Sequence, residues 1–313
     1  MHGRRDDQRQ SGTPTVGDLL TAYDAIKAEG SAMSHDDGPA FQLAKDFFAK
    51  EPPPIRWTIQ GLIEDKTFGI IGGEPKTSKS WFALEAALSV ASGIPMLGQF
   101  PTNGERRPVA LIMLEDSPHN VYARLRALAA SKGISVDELA GLPIYLRFKR
   151  GIDLATRFDT RWVIDAVNGA NKDMALVLID PLRNAHTAEE NDSKSMTSVC
   201  DNIRDIRDAT GSAIVLTHHL RKPSASDESS PGHALRGSGA LYGAIDGLVV
   251  LMNKRRPEDS NIWRNNIHVR VKAGREAIPF QAVLKVHDGP DGRACKAEWA
   301  VSAIPDEDRS KKR

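Results

Sequence analysis

The sequence predicts an α/β fold: a mostly parallel central sheet with helices on both faces, a helical arm ahead of it and a small antiparallel extension behind it. Three observations carry that prediction. Short apolar runs alternate with helical segments through the middle of the chain, as strands buried on both faces and joined by crossover helices do. A loop rich in Gly, Ser and Lys stands between one such run and the helix that follows. The C-terminal segments change to the period-two alternation of antiparallel strands.

Residues 1–55 form the predicted arm and linker. Thr13-Pro14 opens an amphipathic stretch with Val16, Leu19, Leu20, Tyr23 and Ile26 on one face, closed by Gly30. A polar break at Ser34–Gly38 precedes a second helical pattern from Pro39 to Lys50. Pro52-Pro53-Pro54 then stiffens the chain into a linker. Such an arm is too small to fold alone and is expected to dock on the domain or on an adjacent subunit. Residues 56–303 carry that domain. Its buried strands are predicted at Thr67–Ile71, Val109–Leu114, Ile144–Phe148, Leu176–Ile179, Ala213–Leu216 and Leu248–Met252. Helices are predicted at Ser80–Ala91, Pro118–Lys132, Asp159–Asn171 and Ser193–Ala209. The second is well punctuated, with Ser117 as cap, Pro118 at its first position and Gly133 just past its end. Antiparallel strands are expected at His268–Lys272, Phe280–Val286 and Ala297–Val301, with Gly289 and Gly292 at the last turn. Residues 304–313 read as a disordered, solvated tail.

Composition removes several function classes. The 313 residues include 42 Lys or Arg and 41 Asp or Glu, a net charge of +1, which argues against coating nucleic acid by bulk electrostatics. No apolar stretch approaches the ~20 residues of a membrane span. The basic N-terminal residues have no apolar segment behind them, so a secretory signal is not expected. Cys200 and Cys295 lie too far apart for a CxxC site, and a reducing cytoplasm is the expected location.

The chemistry concentrates in Gly72-Gly73-Glu74-Pro75-Lys76-Thr77-Ser78-Lys79-Ser80, directly after a strand and directly before a helix. Consecutive backbone N–H groups and a helix N-terminus make a cavity for phosphate oxygens. Gly73, Glu74, Pro75, Lys76, Thr77, Ser78, Lys79, Ser80 and Trp81 are the candidate ATP-binding residues. Lys79 is placed to reach the β- and γ-phosphates, and the Ser80 hydroxyl to ligate Mg²⁺. The usual GxxxxGK[ST] pattern has glycine where Ser78 stands. If that position needs φ > 0, a non-glycine residue costs roughly 1–2 kcal/mol.

Asp180 ends an apolar strand and is the candidate second metal-holding residue. Pro181 follows it, so the group that positions the attacking water must come from elsewhere. Glu115, at the end of Val109–Leu114, is the candidate, because parallel strands open their C-termini onto one edge. A third strand ends in Thr217-His218-His219. A polar residue there could sense the γ-phosphate. Adjacent strand residues face opposite sides, which argues against a shared metal ion for the two histidines.

These pieces stand in the order GGEPKTSKS, LIMLEDSPHNVYARLRAL, LVLIDPLRNAHTAEEND, IVLTHHLRK and RGSGALYGAIDG. In that order the chain resembles the RecA-like hexameric ATPases, and most closely the RepA-type plasmid replicative DNA helicases. The resemblance implies a RecA-like P-loop fold and a homohexameric ring that binds ATP and Mg²⁺ between subunits and moves along single-stranded DNA. It also implies roles: Glu115 as catalytic carboxylate, Asp180 as the Walker B residue and His218 as the switch. A basic residue from the neighbouring subunit completes such sites, and Arg270, Lys272 and Arg275 are the candidates, with Lys272 and Arg275 favoured. The family's DNA-binding loops correspond to 183–193, with Arg183 and His186, and to 220–239, with Arg221, Lys222, His233 and Arg236. Neither loop contains an aromatic residue, so base stacking is not expected. A helicase or translocase of plasmid or phage-like replication is therefore expected, with a separate initiation or primase partner. The alternative is an ATP-gated binding or assembly switch that unwinds nothing, with Ser78 slowing turnover. A small-molecule kinase fits less well, because no acceptor pocket is recognisable.

Overall fold

The computed structural model describes residues 41–51, 54–148, 151–220, 239–253, 261–270 and 279–304. The chain divides into two compact units, Met1–Pro54 and Ile55–Arg313. In the first unit the described helix is α1, Ala44–Phe48, with the Phe47 and Phe48 rings edge to face at 5.2 Å. It is shorter than the Pro39–Lys50 pattern suggested. Leu43 stands at its N-cap and has no side-chain oxygen to hold an earlier start. The stretch around Val16–Ile26 lies outside the described residues.

The second unit opens with a small antiparallel pair, β1 (Trp57–Ile59) and β2 (Ile63–Glu64). The main sheet has nine strands: β3 (Phe68–Gly73), β4 (Val109–Met113), β5 (Ile144–Phe148), β6 (Leu176–Asp180), β7 (Ala213–His219), β8 (Gly247–Asn253), β9 (Ile262–Arg270), β10 (Phe280–Asp288) and β11 (Ala294–Ala303). Their spatial order is β11-β10-β9-β8-β3-β7-β6-β4-β5. The six strands from β8 to β5 run parallel, and β9, β10 and β11 continue the sheet antiparallel. The α/β prediction with an antiparallel extension is the observed architecture. One boundary differs appreciably: β9 begins at Ile262, six residues before the expected His268. Arg264, Asn265 and Asn266 interrupt its apolar alternation, so the sequence pattern hides its first half.

The connecting helices are α2 (Lys79–Ser92), α3 (Pro118–Ser131), α4 (Val136–Ala140), α5 (Arg157–Ala170), α6 (Ser193–Thr210) and α7 (Gly239–Ala244). Ser117 caps α3 by accepting from Asn120 N, with Pro118 at the first position. The short α4 is not among the predicted helices, although it carries a complete capping box between Ser135 and Glu138.

The sheet separates two cores by its period-two alternation. Ile71, Val109, Leu111, Met113, Leu176, Leu178, Val215 and Leu251 face one core, with α2 and α3. Phe68, Ile70, Ile112, Val177, Ile179, Ile214, Leu216 and Val250 face the other, with α5, α6 and α7. Helix α2 is buried nearly all round, and its alanines (Ala83, Ala86, Ala87 and Ala91) let it lie close to the strands. Its outer side is covered in part by β11, where Phe82 meets Trp299 edge to face at 6.0 Å. Helix α3 packs along the same strand, and Ser131 Oγ exchanges hydrogen bonds with the backbone of Ala297. The extension therefore braces the helix that begins at the phosphate loop. No helix among the described residues is long and apolar enough to cross a membrane.

Phe82 is fully buried at this junction. Phe82→Ala is expected to lower unfolding free energy by about 3–5 kcal/mol, through lost burial plus a cavity. Denaturant unfolding checks this, and a loss below about 1 kcal/mol would show that α2 does not rely on the extension.

Candidate nucleotide site

Strand β3 delivers Gly72 and Gly73 to the C-terminal edge of the sheet, and α2 departs from Lys79. Between them the backbone turns twice into the left-handed region, at Lys76 (φ 66°) and at Ser78 (φ 61°). Ser78 is the N-cap of α2 and makes no side-chain capping bond, which leaves the first N–H groups of the helix for a ligand anion. Gly73 is required where it stands: a Cβ there would lie 2.5 Å from Thr77 Oγ1 and 2.9 Å from the Leu251 carbonyl. Thr77 Oγ1 and Lys79 Nζ both donate to the Glu74 carbonyl, each at 2.8 Å. These bonds hold the loop as a closed ring around its own carbonyl.

Ser80 and Asp180 meet across the cleft through a side-chain hydrogen bond. Thr217 Oγ1 also donates to Asp180 Oδ1. Burial pushes the Asp180 carboxyl up, and the bonds from Thr217 and Ser80 work against that shift. Burial pushes the Lys79 ammonium down to about 8, against the attraction of Asp180, Glu115 and Glu74. The cleft so formed has a volume of about 310 Å³ and is lined by Lys76, Thr77, Ser78, Lys79, Ser80, Trp81, Glu115 and Asp180 among others. Glu74 and Pro75 lie on the loop, and Gly73 lies beneath it.

Sequence reasoning missed the lining residues Asp116, Arg124 and Trp263, and at the strand end Thr217-His218-His219 it assigned the switch role to His218, whereas Thr217 and His219 line this cleft. Arg124 pairs with Asp116, and its guanidinium lies 5.6 Å from the Trp81 ring centroid. Trp263 also lines the cleft, so the site offers two indoles, one of them faced by a guanidinium, as surfaces suited to an aromatic base. Asp116 and Arg124 are eight residues apart on one strand–helix corner, a spacing that could have been read. Trp263 lies on β9, far away in sequence, and only the strand order brings it here.

The structure places His218 differently from Thr217 and His219. His218 is buried and lines a second cleft of about 350 Å³, with Arg183, Thr187, Glu189, Glu190 and His219. Strand alternation explains this: Thr217 faces Asp180, so its successor turns away. His219 borders both clefts. Arg183 is exposed on the short 3₁₀ turn Leu182–Asn184, with Nε 3.8 Å from Glu190 Oε1. Burial pushes the His186 imidazole below its usual range, against the Glu190 carboxylate, so it supplies little positive charge at neutral pH. Lys272, Arg275, Arg221, Lys222, His233 and Arg236 lie outside the described residues, and Arg270 closes β9.

One hydroxyl and one carboxylate suit Mg²⁺, which keeps several waters and takes substrate phosphate oxygens rather than a protein cage. Ser80 and Asp180 supply that pair, and burial leaves the Asp180 carboxylate in need of a cation. No cluster of three His, Cys, Asp or Glu suited to a metal ion occurs among the described residues.

A model of the AAA domain family AAA_25 matches residues 37–225, well over half of the chain. Among solved structures, the chain is similar to a DnaB-like replicative helicase described with its primase interactions, at TM-score 0.54 and 15% identity. That match covers 87% of this chain and 70% of the other. A second solved structure, an ATPase domain, aligns at TM-score 0.47 and 16% identity, over 88% and 96% of the two chains. At 15% identity the first of these likenesses speaks for the fold alone, a RecA-like α/β domain. With the phosphate loop standing inside the matched region, the chain belongs to the AAA domain family.

Proposed function

We propose that this protein is an ATP-hydrolysing, ring-forming DNA helicase or translocase of the RepA-type plasmid class. The observation that carries the reading is the convergence of Lys79, Ser80, Asp180 and Glu115 on one cleft at the C-terminal edge of parallel strands. In the proposed mechanism Lys79 leaves the Glu74 carbonyl for the β- and γ-phosphates, and the N–H groups at the start of α2 receive phosphate oxygens. Ser80 and Asp180 would hold Mg²⁺, which when bound would supply positive charge to offset that of the phosphates. Glu115, exposed at the cleft mouth, orients the attacking water. Trp81, faced by Arg124, and Trp263 line the cleft and are proposed to receive the adenine ring.

Thr217 supports a link from nucleotide to loop: it bonds Asp180, and its neighbour His218 borders the cleft of Arg183. His218 is thus proposed as the switch residue at one remove from the phosphates. Lys272 or Arg275 of an adjacent copy is proposed to complete the site, with the copies arranged as a hexamer. Arg183, Arg221, Lys222 and Arg236, repeated around a pore, are proposed to bind single-stranded DNA phosphates. An initiation or primase partner would be a separate chain, and the cytoplasm is the proposed location. One observation favours the second reading, an ATP-gated switch without unwinding: Glu189 and Glu190 stand beside Arg183, which weakens that loop for DNA.

ATP turnover measured with and without single-stranded DNA, alongside native mass with and without ATP, separates the two. DNA-stimulated turnover by a hexamer is expected. Nucleotide-dependent assembly with negligible turnover would instead support the switch. Glu115→Gln is expected to retain ATP binding while kcat falls by about 10²–10⁴-fold. Normal hydrolysis by that variant would refute the assignment of Glu115. Lys79→Ala should abolish binding, as read by calorimetry.

The lowered pKa of Lys79 fixes a pH dependence. Below about 8 the free protein already carries the ammonium, so affinity is flat. Above it, binding must take up a proton, and affinity is expected to fall toward about tenfold per pH unit. ATP-analogue titrations between pH 7 and about 9.5 test this, and a pH-independent affinity would contradict it.

A further inference from the structure

Ser78 and Asn265 form a buried side-chain pair 187 residues apart in sequence, joining the phosphate loop to β9. We propose that Asn265 is a positioning residue for the phosphate loop, holding through Ser78 the left-handed turn at a position where the loop pattern has glycine. The proposal rests on the nucleotide reading of the cleft.

The Ser78 hydroxyl is fixed at both ends. It donates to the Thr77 carbonyl at 2.5 Å and accepts from Asn265 Nδ2 at 2.9 Å. A serine held at φ 61° is in a region that side-chain-bearing residues avoid, so the turn needs outside support to persist. These two bonds provide it. They also keep the hydroxyl from rotating freely beside the phosphate cavity, which Ser78 lines.

Asn265 has no packing reason to be polar. Its neighbours on the same strand face are Trp263, Ile267 and Val269, all of which pack with the core around α2. Asn265 is fully buried among them, and its Oδ1 has no hydrogen-bond partner among the described residues. A buried amide with one orphaned acceptor is disfavoured in an apolar layer. The amide is retained there with a single described bond, the one to Ser78. Asn265 is not among the residues lining the cleft and acts only through the loop.

The test is a double-mutant cycle read by binding of a non-hydrolysable ATP analogue and by steady-state kinetics. Asn265→Leu keeps the layer filled but removes the donor. It is expected to weaken analogue binding and raise KM about tenfold, with kcat at saturating ATP within about twofold. Ser78→Gly alone leaves the Asn265 amide buried without any partner and is expected to weaken binding as well. The double variant Ser78→Gly/Asn265→Leu is expected to recover to within about threefold of wild type, since glycine adopts the turn unaided and neither orphan remains. Ser78→Ala gives an independent check if Asn265→Leu folds poorly: it retains the strained turn, loses both hydroxyl bonds and leaves the Asn265 amide unpartnered, so it should weaken binding at least as much as Asn265→Leu. Additive losses in the double variant, or wild-type binding by Asn265→Leu, would overturn the inference. Wild-type and Lys79→Ala controls keep the two claims apart. Wild-type binding that is lost on Lys79→Ala leaves the nucleotide reading standing whatever Asn265 does. A wild-type protein that binds no nucleotide overturns both.

Discussion

Parallel alignment of β3, β7, β6 and β4 is the constraint on which the site depends. Register places Asp180 opposite Met113 on β4, and Gly72 and Gly73 opposite His218 and His219 on β7. Each strand therefore ends at the same edge: β3 leads into the phosphate loop, β7 hands Thr217 and His219 to the cleft, β6 hands Asp180, and Glu115 follows β4. A strand inserted between the phosphate-loop strand and the Asp180 strand, β7, contributes Thr217 to bridge the gap. Without that insertion Asp180 would lose one of the two bonds that offset its burial.

The charges in the cleft are balanced only in part. Lys79 and Asp180 are both buried, each shifted by burial toward its neutral form, and each offset by partners that are themselves polar. Such an arrangement is strained as a packing solution and well suited to a ligand that brings both phosphate oxygens and a cation. The near-zero net charge of the chain fits this picture. Glu115, Asp116 and Asp180 line the cleft where the proposed metal–nucleotide complex would meet them, and on the proposed reading attraction for a nucleic-acid backbone would come from a few loop cations repeated around a ring.

Much of this site is legible in the sequence because its parts are local. A strand, a Gly/Ser/Lys loop and a helix lie in one continuous stretch, and Asp180 and Glu115 each end an apolar run. Residues whose role depends on strand order are not legible in that way. Trp263 and Asn265 belong to β9, whose polar residues obscure its first half, and nothing near them in the sequence points to the phosphate loop. Thr217 and His218 are a case of register: their neighbourhood suggests a histidine, whereas pairing with β6 sets the threonine against Asp180. Short elements escape for another reason. Residues 57–64 and 136–140 are too brief to show periodicity, although the Ser135–Glu138 capping box is there to be read.

The most direct measurement is a crystal structure of the Glu115→Gln protein with ATP and Mg²⁺. The expected result has Lys79 Nζ moved from the Glu74 carbonyl to the phosphates, the metal bound by the Ser80 hydroxyl near Asp180, and residue 115 facing the γ-phosphate. A nucleotide bound elsewhere, with Lys79 still on the Glu74 carbonyl, would contradict the assignment of this cleft.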